Sequence, residues 1–179
     1  CTGIKLTIGE MLKNFLFDEE DKDAYERTWK PVFEIDRDRQ NYWEGEMVNG
    51  KIKGCHIENF FYRYMLVKMQ EPAIKQQLTT NEIKSFRQKD GLFEKFRHLI
   101  TKCGIQKQDA IDDIVAYARQ YVDTFQDSTL DEPLIRFNGA ERLAALMFAQ
   151  DFWTPVPYIM YILKNVQNTN ERNAIFGYM

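Results

Sequence analysis

The chain offers few groups that could do chemistry at neutral pH. It contains two histidines, His56 and His98, and three cysteines, Cys1, Cys55 and Cys103. The histidines stand far apart and in neither HExxH nor HxH spacing, so a zinc hydrolase, a His-dependent nuclease or a Ser-His-Asp triad has little to draw on. His56 lies two residues before Glu58 at the head of an apolar stretch, a place that suits a polar or capping role at a helix N-terminus. The cysteines are odd in number, scattered and without CxxC spacing, which argues against a disulfide framework and a zinc site and points to a reducing compartment. Acidic neighbours such as Asp112-Asp113 and Glu19-Glu20 diverge by about 100° on a helix and do not converge on one proton or one metal ion. GxxxxGK[ST] and GxGxxG are both absent, so neither common phosphate loop is present. The expectation for this chain is no catalytic residue, no metal ligand and no cofactor.

One charge feature exceeds what composition accounts for. Between Ile83 and Gln108 seven Lys or Arg stand against Asp90 and Glu94 only, in a chain whose net charge is -3. On one continuous helix Lys84, Arg87, Lys95, His98 and Lys102 would share an arc of about 80°, with Phe86, Phe93, Phe96 and Ile100 opposite. A basic outer face of this kind suits phosphate contacts, and Lys84, Arg87, Lys95 and Lys102 are the candidate nucleic-acid-binding residues. An ordinary solvated face is the competing reading. The same arithmetic turns Lys89 inward, and Gly91 weakens the helix.

Helices must position these groups. Apolar residues recur at helical spacing in most windows, strand-like alternation is nearly absent, and prolines number five. Thr7 and Glu10 form a capping-box pair ahead of Ile8, Met11, Leu12 and Phe15, which share one face of a helix expected to end near Phe17. After the acidic run at 18–23, Asp23 starts a second helix carrying Tyr25 and Trp29, which Pro31 kinks or restarts. From Gln40 to Gly54, Asn and Gly interrupt every periodic pattern, which predicts a loop or a short hairpin around Asn49-Gly50 and makes 40–55 the candidate hinge.

An apolar helix follows from about Ile57 to Met69, with Pro72 closing it or opening a successor. Thr79 or Thr80 with Glu82 caps the next, which runs, with a candidate break at Asp90-Gly91, to Cys103 and a Gly104 stop. Ile111, Ile114, Val115, Ala118, Val122 and Phe125 form one stripe. Two further helices span 140–149 and 157–166, separated by Thr154-Pro155-Val156-Pro157. The closing NERNAIFGYM reads as a helix cut short.

The expected fold is therefore all-α: an irregular bundle of about seven to eight helices in a single domain over 1–179. An aromatic share of 14% suits a large aromatic core. No stretch has the 18 or so apolar residues a membrane span needs, and the opening run, which starts at Cys1, has no signal-peptide layout. The chain is expected to be a cytoplasmic fragment of a longer protein, truncated at both ends, without membrane contact.

Thr2-Gly3, Leu6-Thr7 and the run from Glu10 to Phe17 resemble the TG..L(S/T)..DLIKNYLF signature of GmrSD-type bacterial restriction proteins. These act in phage defence, often against modified DNA. The residues carrying the likeness are Thr2, Gly3, Leu6, Thr7, Glu10, Leu12, Lys13, Asn14 and Leu16; Glu10 stands where the family usually has Asp, and Phe15 replaces its Tyr. Trp29 and the block from Phe60 to Met65 are similar to its diffuse W and FF..Y(L/M) positions, and downstream of Gln70 the likeness stops. In that family a ParB-like N-terminal domain with a DGQQR-type motif is associated with nucleotide hydrolysis, and many members end in an HNH nuclease. Neither motif stands here.

The resemblance implies the helical region between those parts, in a nucleotide-dependent, modification-sensing protein. It would be non-catalytic by itself, with the ParB-like and C-terminal domains of the same protein as partners and DNA as a candidate partner. Restriction endonuclease or NTPase activity would belong to the full-length protein. The residues also fit a structural or protein-interaction helical module with no link to DNA.

Overall fold

The computed structural model describes residues 6–46, 54–126 and 131–179. Twelve α-helices account for most of them: α1 (Ile8–Leu16), α2 (Lys22–Arg27), α3 (Lys30–Phe33), α4 (Arg37–Glu44), α5 (His56–Lys68), α6 (Pro72–Lys75), α7 (Thr80–Phe86), α8 (Leu92–Cys103), α9 (Lys107–Thr124), α10 (Gly139–Gln150), α11 (Val156–Asn165) and α12 (Thr169–Gly177). Among the described residues no strand forms, and an isolated antiparallel bridge pairs Glu46 with Cys55.

The all-α class is as expected, but twelve helices exceed the expected seven to eight. The excess comes from helices of four to eight residues, such as α3, α4 and α6. Pro31 near the start of α3 and Pro72 at the start of α6 restart the chain where their fixed φ favours a first turn. A periodicity argument over longer windows merges or misses such pieces.

Where a loop was expected from Gln40, the chain is helical to Glu44. The Asp36 carboxylate caps α4 by accepting from the Arg39 N–H (2.8 Å), and Trp43 anchors it by donating its indole N–H to Val32 O (2.8 Å). Helix α4 ends at Gly45. The hairpin expected around Asn49-Gly50 lies outside the described residues.

The second helix, expected to start at Asp23 and carry Trp29, instead begins at Lys22 without a side-chain cap and ends at Arg27, so Trp29 stands at the head of α3. The capping logic holds at two other predicted starts. Thr7 with Glu10 and Thr79 with Glu82 each form a reciprocal capping box. The expected break in the basic segment is real: α7 ends at Phe86 and α8 begins after Gly91, whose φ of +60° favours glycine. Gly104, also left-handed, stops α8 as expected.

Helix α5 is the hub, packing against α1, α4, α8, α9 and α11. It is buried nearly all round, as Phe60, Phe61, Tyr64 and Met65 show with at most 2% exposure each. Helix α1 approaches it so closely that a β-carbon on Gly9 would stand 2.8 Å from Ile57 Cδ1. The predicted α1 face packs inward: Ile8 and Leu12 are buried, and Met11 and Phe15 lie partly buried against the core. The predicted α9 stripe is buried throughout.

Aromatic rings link much of the fold. A connected chain of contacts runs Trp29–Phe33 (4.2 Å between centroids), Phe33–Trp43 (4.9 Å), Trp43–Phe60 (5.4 Å), Phe60–Tyr121 (5.3 Å), Tyr121–Phe125 (4.9 Å) and Phe125–Trp153 (6.3 Å). The high aromatic content is spent on this core.

Candidate functional site

The break at Gly91 folds α7 and α8 as separate elements, so the single 80° basic arc does not exist. Lys102 Nζ meets both Glu82 carboxylate oxygens at 2.6 and 2.7 Å, and His98 Nε2 stands 2.6 Å from the same carboxylate. The Glu82 carboxylate also accepts from the Thr79 N–H and hydroxyl at 2.7 Å each. Lys102, then Thr79 and His98, hold its pKa far below the usual carboxylate range. Lys95 donates to Gln88 O (2.9 Å) and lies 3.6 Å from Asp90. Two of the four candidate cations are thus partly neutralised from within. Lys84 and Arg87 are exposed and make no side-chain ion pair or hydrogen bond among the described residues. Lys89, expected to point inward, is half-buried and reaches Asn59 Oδ1 at 3.1 Å.

Most of the described signature residues cap, pack or pair within the fold. Thr7 and Glu10 cap α1, Leu12 and Leu16 are 1% exposed, and Leu6 and Asn14 face out. Lys13 reaches Glu34 at 3.2 Å, and the Tyr25 hydroxyl donates to the same carboxylate at 2.6 Å. Burial and this carboxylate raise the Tyr25 pKa. Thr2 and Gly3 lie outside the described residues.

A second cluster of titratable groups was not anticipated. It lies in a cleft of about 330 Å³ lined by Tyr64, Lys68, Glu71, Cys103, Asp109 and Asp113 among others. Asp113 accepts from the Tyr64 hydroxyl (3.1 Å), pairs with Lys68 Nζ (2.9 Å) and is also paired with Lys164. Lys68 grips both oxygens of Glu71 at 2.7 Å, and the Lys164 ammonium sits 4.3 Å from the centre of the Tyr117 ring. Burial and then Lys68 pull the Lys164 pKa down, while burial pushes Tyr64 well up. As expected, Asp112 diverges from its neighbour, accepting instead from Gln108 (2.9 Å).

This arrangement clasps α5, α9 and α11 together with the start of α6. A general base needs a free lone pair facing a substrate, whereas Asp113 is taken up by three donors. Cys103 on the rim is kept a thiol by burial, and burial likewise raises Cys55. Among the described residues no group of three His, Cys, Asp or Glu could hold a metal ion.

Two buried polar groups complete the interior. Arg63, 4% exposed, donates to Asn59 O (2.8 Å) and lies 5.5 Å over the Trp153 ring. Burial lowers its pKa. The position was invisible in sequence because every neighbour on α5 reads as core. His56 packs flat against Tyr42 (4.3 Å) as the first residue of α5, while Cys55 occupies the cap position. Its side chain therefore stacks where an N-terminal capping role was expected.

No helix among the described residues is long and apolar enough to cross a membrane. Compared with family models, curated proteins and solved structures, the chain matches none.

Proposed function

We propose that this chain is the non-catalytic helical region of a nucleotide-dependent, modification-sensing restriction protein of the GmrSD type. In this reading it couples a ParB-like domain before it to whatever follows. The observation that supports the reading is how the signature segment is used. Its helix α1 is capped, sunk between α5 and α8, and tied to Glu34 through Lys13. A domain joined ahead of α1 would hold a rigid handle on the hub, so a nucleotide-driven movement there would reach the rest of the bundle. The catalytic groups lie in the neighbouring domains, and DNA contact through this chain falls chiefly to Lys84 and Arg87.

The test is phage restriction. Bacteria expressing the natural gene should plaque phages poorly, those with modified bases above all, and deleting residues 8–16 from that gene should restore plaquing. The chain alone, given GTP, ATP or phage DNA with magnesium, should release no product. Equal plaquing with and without the intact gene, or turnover by the chain that a point substitution removes, overturns the reading. A second reading, a protein-interaction module unrelated to DNA, is favoured by the apolar side chains that the last third of the chain leaves exposed.

A further inference from the structure

A groove of about 630 Å³ lies between the C-terminal end of α5 and α11. Its walls carry Leu66 and Pro72 on one side and Pro157, Tyr158 and Tyr161 on the other. Tyr158 and Tyr161 are 50% and 46% exposed, one helical turn apart. Neither phenol hydroxyl has a hydrogen-bond partner among the described residues. The Gln70 side-chain oxygen accepts from Lys75 Nζ (3.1 Å), which leaves its amide N–H groups for an incoming acceptor.

We propose that this groove binds a proline-rich segment of a partner protein in the polyproline II conformation. Three features select that occupant. No Lys or Arg lines the groove, and its one acid, Glu71, is gripped by Lys68, so the surface matches an uncharged ligand and lacks the cations a nucleic-acid backbone needs. The free hydroxyls and the Gln70 amide are donors. A polyproline II strand has no internal hydrogen bonds and presents bare carbonyls to meet them. A docked helix has its own carbonyls taken up internally and could meet these donors only through its side chains. The length fits as well: Tyr158 to Asn165 spans about 10 Å of helix, and three polyproline II residues span about 9 Å. Aromatic-lined grooves are the surface on which such strands dock elsewhere in protein recognition.

The inference stands apart from the restriction reading and is tested on the chain itself. A fluorescein-labelled decaproline peptide is titrated by anisotropy, with a Gly/Ser decamer, an amphipathic helical peptide and a single-stranded oligonucleotide as controls. Saturable binding of decaproline alone is expected. Tyr158→Ala and Tyr161→Ala should each weaken it by about tenfold or more, as buried aromatic anchors do at interfaces. Tyr158→Phe and Tyr161→Phe, which keep the ring and remove the donor, should weaken it by about threefold each. Both tyrosines are half-exposed, so thermal melts of the four variants should match the parent. No saturable decaproline binding at millimolar peptide overturns the proposal, as does stronger binding of the helix or oligonucleotide. Phe variants that bind as well as the parent overturn the donor argument and with it the assignment of the strand. Dimerisation of the parent that Tyr161→Ala abolishes would assign the groove to a second copy instead.

Discussion

Among the described residues between Ile8 and Phe125 the large apolar side chains close on one another, with Ile35 as the exposed exception and Leu6, just ahead of α1, exposed as well. From Leu134 onward the balance changes: Leu134, Ile135, Phe152, Tyr158, Tyr161, Tyr178 and Met179 are all exposed, Ile135 at 88% and Tyr178 at 94%. Both regions share one hydrophobic cluster, which reaches Phe148, Trp153, Ile159 and Phe176. The difference therefore lies in what each region leaves uncovered. The first packs its apolar side chains away, whereas the second leaves several of them exposed.

The contrast breaks first if stability does not divide along it. Trp43→Ala, which empties a site at the centre of the aromatic chain, should cost about 4 kcal/mol, whereas Ile135→Ser should stay within about 0.5 kcal/mol. Urea denaturation of the two variants compares them directly, and similar losses would erase the distinction.

A smaller effect tests the clasp that joins the regions through Lys164. Asp113→Ala leaves Lys68 and Lys164 without their shared carboxylate and should cost about 3 kcal/mol, against no more than about 0.5 kcal/mol for Asp112→Ala. Thermal melts of the pair sharpen the comparison, because the two residues are adjacent in sequence and differ only in what they face.

The smallest effect concerns the α7–α8 corner. The folded-state pKa of Glu82 is depressed, so its contribution is fully present above the ordinary glutamate pKa of about 4.3 and is lost as pH falls toward the depressed value. Glu82→Gln should therefore melt below the parent at pH 7, with the gap closing as the pH drops under about 4. A gap that stays constant across that range would remove Glu82 from the corner's electrostatics.

What was legible in the sequence follows the range of the interactions involved. The α1 and α7 starts were readable because a capping box is made of residues three apart, and the α9 stripe because one helix carries it whole. Helix α4 was not, since Trp43 holds it through a hydrogen bond to Val32 and contact with Phe60, neither of which periodicity reports. The pairing of Asp113 was not legible either, because its partner Lys164 is 51 residues away. The basic segment was misread in a different way. Its cations were counted correctly, but Glu82 on α7, just ahead of the run of positive charge, was left out of the reckoning although it meets Lys102 on α8.

The aromatic chain also makes the molecule its own optical reporter. Trp29, Trp43 and Trp153 are 1%, 2% and 5% exposed, and all three belong to the same connected set of rings. Shielded indoles emit at shorter wavelengths than wetted ones, and closely packed tyrosines such as Tyr121, with its centroid 5.9 Å from that of Trp43, pass their excitation to them. Light absorbed at many points in the bundle is therefore collected by three neighbours that lose their shelter together, and one emission band follows the integrity of the bundle from α3 to the turn before α11.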